Sequence, residues 1–135
     1  MYHLWKKWTC KLKLLVIDDS LDITGVMTTY CESVGIDCVI ANNGTKGLQA
    51  IREGKFDLIL LDMAMPEFSG VDVVESLNNE GLLEKNNIVI FTASSDSTLI
   101  ERLKNSGIKE TLKKPMSLDE LTTFIEKYRP PNESL

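Results

Sequence analysis

FDLILLDMAMPEFSG, residues 56–70, carries four consecutive aliphatic residues, Leu58 to Leu61, which stop abruptly at Asp62 and give way to Met63-Ala64-Met65-Pro66. A short unbroken apolar run of this kind reads as a strand buried on both faces. Pro66 cannot continue a strand or sit inside a helix, so Asp62 is expected where a buried strand opens into a loop. A carboxylate in that position is held by rigid structure and still meets solvent. Its chemistry depends on what else reaches the same end of the sheet.

Working outward, the pattern repeats. On the N-terminal side Leu12 to Ile17 is apolar except for Lys13 and ends on Asp18-Asp19. Ser20 then caps a helix that runs to about Val34 and is stopped by Gly35. Cys38 to Ala41 is short and strand-like. An Asn42-Asn43-Gly44 turn follows, then a helix from about Thr45 to Glu53, closed by Gly54. On the C-terminal side Gly70 leads into a helix with Val71, Val74 and Leu77 at helical spacing. Ile88 to Phe91 is a strand ending on Thr92, and Ser94 and Ser95 open a helix over Asp96 to Asn105. A weak strand near Lys109 to Leu112 runs into Lys113-Lys114-Pro115. The last helix, Leu118 to Tyr128, has Ser117 and Glu120 spaced as a capping box.

Five strands alternating with five helices predict a parallel sheet wrapped on both faces, since right-handed crossovers leave few other topologies. The 135 residues, 43% of them hydrophobic, make one ordinary domain. We place it at residues 12–129, between an N-terminal extension, 1–11, and a short tail, 130–135. The extension has no apolar core of signal-peptide or membrane-spanning length. Trp5 and Trp8 with Lys6 and Lys7 form at most one amphipathic turn. A balance of 15 basic to 20 acidic residues argues against a nucleic-acid surface. Cys10, Cys31 and Cys38 are odd in number and lack metal-ligand spacing, so a reducing cytoplasm fits them.

Sites in doubly wound sheets lie at the carboxyl ends of the strands. Here those ends carry Asp18, Asp19, Asp62, Thr92 and Lys114. Three carboxylates about 4 Å apart repel by roughly 4 kcal/mol per pair at an effective dielectric near 20, so the cluster calls for a cation. Oxygen ligands without Cys or His suit Mg²⁺, which keeps several waters and takes one or two carboxylates. Lys114 and the Thr92 hydroxyl complete a set able to neutralise a transferring phosphoryl group, with Asp62 as nucleophile. Taken singly each residue has a plainer role: Asp19 or Ser20 caps a helix, Thr92 bonds backbone, and Lys113-Lys114 is a solvated turn.

Taken together, over about Leu12 to Tyr128, these residues resemble the CheY-like receiver domains of two-component response regulators. The match rests on Asp18-Asp19, on Asp62 with Met65-Pro66 and Gly70, on Thr92-Ala93, and on Lys114-Pro115. The resemblance implies a flavodoxin-like α/β fold with a five-stranded parallel sheet in the order 2-1-3-4-5 and five helices. It implies that Asp62 accepts phosphate from a sensor histidine kinase or phosphotransfer protein. Asp19, Asp62 and the backbone carbonyl of Ala64 would hold Mg²⁺, with Asp18 helping through water, and Thr92 and Lys114 would bind the phosphoryl group. Such a domain is a switch rather than an enzyme, limited to Mg²⁺-dependent self-phosphorylation and slow self-dephosphorylation.

By the same resemblance the kinase docks near Leu21, Ile23 and Thr24 and near Pro115-Met116. The face from about Leu99 to Tyr128 meets a downstream protein, with the domain a monomer or a phosphorylation-dependent dimer. No effector domain follows Tyr128 in this sequence, so the output is expected to be a protein contact, with no nucleic acid or membrane involved. Two positions depart from the family pattern. Thr111 stands where an aromatic switch residue is common, so activation is expected to rely on Thr92 and the helix after it. Ala64 and Ser94 occupy the positions that orient attacking water, and Ala64 offers no side-chain hydrogen bond, which implies a long-lived phosphoryl-aspartate. Three other readings remain. A receiver-like scaffold would keep the fold without the chemistry. An aspartate-nucleophile phosphohydrolase would want an acid where Ala64 stands. A flavodoxin-type redox carrier would want a phosphate-binding loop where Asp18-Asp19 stands.

Overall fold

The computed structural model describes residues 11–93 and 96–130. The expectations for residues 1–10, for Ser94 and Ser95, and for most of the tail lie outside the described residues. The elements, in chain order, are β1 (Lys13–Ile17), α1 (Leu21–Val34), β2 (Asp37–Ala41), α2 (Gly44–Glu53), β3 (Leu58–Leu61), α3 (Gly70–Asn79), β4 (Ile88–Thr92), α4 (Ser97–Lys104), β5 (Glu110–Lys113) and α5 (Leu118–Glu126). All strand pairs are parallel, in the order β2-β1-β3-β4-β5. The doubly wound fold expected from the sequence is therefore present.

Residue type explains that order. β3 and β4 are buried at every position and β1 at four of five, as central strands covered by helices on both faces must be. β2 and β5 are partly exposed and carry Asp37, Glu110 and Lys113, charges that suit strands at an edge. The weak apolar signal of β5 in the sequence is thus the mark of an edge strand. Successive residues of the central strands feed opposite faces. Leu15, Ile17, Ile59, Leu61, Ile88 and Ile90 join one core with Leu48, Val73, Val74 and Leu77 of α2 and α3. Leu14, Val16, Leu58, Leu60, Val89 and Phe91 join the other with Met27 and Tyr30 of α1 and Leu121, Phe124 and Ile125 of α5.

Most boundaries fall within two residues of the expected ones. The helix after β4 is capped by Asp96, whose carboxylate accepts from Leu99 N–H at 3.1 Å. The final helix ends at Glu126, two residues before Tyr128. α3 begins with a capping box that the sequence reading passed over: Ser69 accepts from the Asp72 N–H, and Asp72 accepts from the Ser69 N–H at 2.9 Å. The Ser-x-x-Asp spacing was the available signal, an acidic variant of the usual Ser-x-x-Glu. α1 ends as expected on Gly35, in the left-handed region at φ 73°.

Candidate active site at the carboxyl ends of β1, β3, β4 and β5

Strand register assembles the site. Ile17 pairs with Leu61, so Asp18 and Asp62 leave neighbouring strands at the same level. Adjacent strands lie about 4.8 Å apart, which forces the two carboxylates together. The Asp62 N–H donates to the Ile17 carbonyl at 3.0 Å, continuing the ladder one residue past each strand. On the other side Thr92 pairs with Lys113, and the Lys114 N–H donates to the Thr92 carbonyl at 2.9 Å. Lys114, whose peptide bond to Pro115 is cis, enters from the edge strand.

Each expected residue lies where the sequence placed it. Asp18, Asp62 and Thr92 are buried, whereas Asp19 and Ala64 are exposed. Lys114 Nζ lies 2.5 Å from Asp18 Oδ2 and 3.9 Å from Asp62 Oδ1. It also lies 5.3 Å from the centre of the Phe91 ring. Asp18 accepts a second bond, from the Ser20 N–H at 2.9 Å, which ties it to the start of α1. Asp62 accepts from the Ala64 N–H and from the Thr92 hydroxyl.

Burial pushes the Asp62 carboxyl above its ordinary value, and the nearby Asp18 pushes in the same direction. Lys114 opposes both, as do the bonds from Ala64 and Thr92. The result is a carboxylate short of positive charge. Asp18, Asp19 and Asp62 each offer an oxygen, and these oxygens lie within 4.8 Å of one another. Mg²⁺ binds oxygens at about 2.1 Å, so opposite ligands stand about 4.2 Å apart. The acidic cluster is of the right size and donor type for such an ion, with waters filling the remaining positions.

The loop from Met63 to Ser69 fixes how Asp62 is presented. The Gly70 N–H returns to the Met63 carbonyl at 3.1 Å, and Glu67 adopts φ 67°. A Cβ on Gly70 would stand 2.3 Å from the Asp62 carbonyl oxygen. A Cβ on Gly44 would stand 2.2 Å from the Phe68 carbonyl oxygen. Both helices therefore start hard against the loop, and only glycine permits the approach. Gly70 was singled out in the sequence. Gly44 looks in the sequence like part of a turn, yet it is the first residue of α2 and follows Asn43, whose side chain caps that helix.

One surface expectation needs adjusting. Leu21 is 79% exposed and Ile23 is half-buried, but Thr24 is buried, its hydroxyl donating to the Leu21 carbonyl at 3.3 Å. Thr24 therefore bonds within α1 and has little surface to offer a docking partner. Thr111 is half-buried on β5 beside a cavity of about 400 Å³, which Thr92, Ile100 and Lys104 also line. No helix among the described residues is long and apolar enough to cross a membrane.

Comparison with known proteins agrees with this geometry. Residues 14–126 match the family model for the response regulator receiver domain. The DNA-binding response regulator MtrA of Mycobacterium tuberculosis is 31% identical over 117 residues, which cover 87% of this chain and 50% of MtrA. The chain thus spans about half the length of that relative. Sporulation initiation phosphotransferase F of Bacillus subtilis is 29% identical over 119 residues, covering 87% of this chain and 94% of that protein. Among solved structures, the response regulator TrrA of Thermotoga maritima in complex with Mg²⁺–BeF superimposes with a TM-score of 0.73. It is 26% identical, and the match covers 87% of this chain and 98% of TrrA. With a family match that spans most of the sequence, and with the ends of β1, β3, β4 and β5 carrying the expected side chains, this chain belongs to the response regulator receiver domains.

Proposed function

We propose that Asp62 is the phosphoacceptor of this receiver domain. A carboxylate oxygen of Asp62 attacks the phosphorus of a phosphohistidine on a sensor kinase or phosphotransfer protein. The P–N bond breaks, the imidazole leaves and takes up a proton, and an acyl phosphate remains on Asp62. The single observation that carries this reading is the convergence on Asp62 of the Lys114 ammonium, the Thr92 hydroxyl and the acids Asp18 and Asp19. Lys114 and Thr92 would meet phosphoryl oxygens, in the way charge is offset in phosphoryl transfer. Asp19, Asp62 and the Ala64 carbonyl would hold Mg²⁺, with Asp18 contributing through water. The ion would supply the positive charge that the acids lack and draw in phosphate oxygens. TrrA, solved with Mg²⁺–BeF, supports that assignment by its likeness.

The domain works as a switch that turns over slowly, in a cytoplasmic two-component pathway, and not as a steady hydrolase. Ala64 carries only a methyl group at the mouth of the site and cannot orient a water through its side chain. The acyl phosphate is therefore long-lived. A phosphate-release assay should give a half-life well beyond seconds, and one of seconds contradicts this part of the reading. Leu21, Val26 and Leu118 are exposed large apolar residues on α1 and α5 and are suited to meet the kinase. The partner that reads the phosphorylated state meets the α4–β5–α5 side.

Incubation with Mg²⁺ and acetyl phosphate tests the proposal. Intact mass should rise by one phosphoryl group, only with Mg²⁺ present, and the gain should vanish in Asp62→Asn. An unchanged mass identifies a scaffold, continuous release of phosphate identifies a hydrolase, and bound flavin identifies a redox carrier.

A further inference from the structure

Cys31 and Cys38 play no part in the chemistry above, yet the fold brings them together. Cys31 sits in the last turn of α1, fully buried, and Cys38 is half-buried on edge strand β2. Gly35, at φ 73°, turns the chain directly from α1 into β2, and the Ile36 N–H donates to the Cys31 carbonyl at 2.9 Å. Both cysteines line one cavity of about 370 Å³, together with Thr28, Gly35 and Asp37. Cys38 pairs in register with Leu14, at the end of the sheet opposite the acids. Asp18 lies four positions beyond Leu14, a span of about 13 Å along an extended strand.

We propose that Cys31 and Cys38 form a reversible redox pair, oxidised by hydroperoxides to a disulfide that ties the last turn of α1 to β2. The two thiols are unequal. Cys31 holds its proton, pushed up by its hydrogen bond to Cys38 and by burial. Cys38 is pushed down by the same bond, although burial and Asp37 oppose the shift. Cys38 is also the thiol with exposure, and it opens onto the cavity, so it is the nucleophile. Its thiolate attacks one peroxide oxygen. The O–O bond breaks, hydroxide leaves and takes a proton, and Cys38 becomes a sulfenic acid. Cys31 then gives up its proton as its sulfur displaces the sulfenic hydroxyl, which leaves as water. Two thiols are oxidised to one disulfide, and hydrogen peroxide is reduced to two waters. In a reducing compartment such a bond is transient and sensing rather than structural. This proposal does not depend on the phosphoryl reading.

The test uses the full chain with Cys10→Ser, so that only the pair remains. Hydrogen peroxide should remove two hydrogens from the intact mass, and dithiothreitol should restore them. Cleavage after Glu32 under non-reducing conditions should leave the two flanking peptides joined. Cys31→Ser should stop the reaction at a sulfenic acid on Cys38 that dimedone traps, with Cys31→Ala as a second variant should serine disturb the buried site. Both thiols surviving peroxide, or oxidation of either to sulfinic acid without a cross-link, overturns the proposal.

Discussion

On one side of Asp62 stand β1 and β3, buried along nearly their whole length and locked in register, so that Asp18 and Asp62 emerge side by side. On the other stand β5, an edge strand with two half-buried residues, and α4, whose one fully buried side chain is Leu103. A cavity lies between α4 and β5, bordered by Thr92 and Thr111. The first side has little freedom and holds the acids at fixed spacing. The second is lightly packed, and segments with few buried contacts open at the lowest free-energy cost. Lys114 follows β5, and Thr92 ends the buried strand β4 at the border of the cavity. Under the proposed function these two residues, which reach toward Asp62, pass an event at the carboxylate to the lighter side.

The sharpest way to break this contrast is to disturb the rigid side. Gly70→Ala places a Cβ within 2.3 Å of the Asp62 carbonyl oxygen, with backbone rather than a flexible side chain in the way. Overpacking of this kind costs about 3 kcal/mol. We expect a lowered midpoint in urea and a loss of acetyl-phosphate labelling of tenfold or more in the protein that remains folded. Unchanged labelling means that the loop does not hold Asp62 as described.

Next in size is the link. Lys114→Met removes a positive charge 3.9 Å from Asp62 that repels any cation entering the acidic cluster. Unit charges at that distance interact by about 4 kcal/mol at an effective dielectric near 20. After partial screening, Mg²⁺ should bind the variant about tenfold more tightly, by titration calorimetry, while labelling of Asp62 falls. Weaker Mg²⁺ binding in the variant contradicts the placement of Lys114 as a competing cation.

A smaller effect concerns stability and pH. Folding raises the Asp62 pKa, chiefly through burial, so the folded state favours the protonated carboxyl. The stability this gives is full below the carboxylate's unfolded pKa and is lost as pH rises through the raised folded value. Asp62 is therefore a net burden at neutral pH. Asp62→Asn should be more stable than the parent at pH 7 without Mg²⁺, and its advantage should shrink as pH falls toward the ordinary carboxylate range. An advantage that stays constant with pH in urea titrations points to some cause other than ionisation.

The smallest effect belongs to the lighter side. Thr111→Ala removes little buried surface beside a cavity that already exists, so stability should change by no more than about 0.5 kcal/mol. Phosphorylation and partner binding should both survive. A variant that keeps phosphorylation and loses partner binding makes Thr111 part of the relay.

Much of this arrangement was legible in the sequence because burial and strand position leave marks in residue type. The unbroken aliphatic runs before Asp18 and Asp62 betrayed central strands, and the weak apolar signal of β5 matches its place at an edge. The site residues were legible because each follows a strand directly, where the alternation of elements fixes the side of the sheet. What escaped was set by tertiary contact. Gly44 looks like any turn glycine until Phe68 is packed against it. Thr24 sits among exposed neighbours in sequence, but the helix turns it inward. The Lys114–Asp18 contact joins residues 96 positions apart, and no local pattern announces it.

The most direct test of the contrast is amide hydrogen exchange, resolved by peptide, on protein with Mg²⁺ and acetyl phosphate against protein with Mg²⁺ alone. Phosphorylation should change exchange across α4 and β5, residues 97–113, and leave β1 and β3 as they were, with no change at all in Asp62→Asn. Equal changes on both sides, or a response in α4 and β5 that persists in Asp62→Asn, would contradict the separation of chemistry from readout.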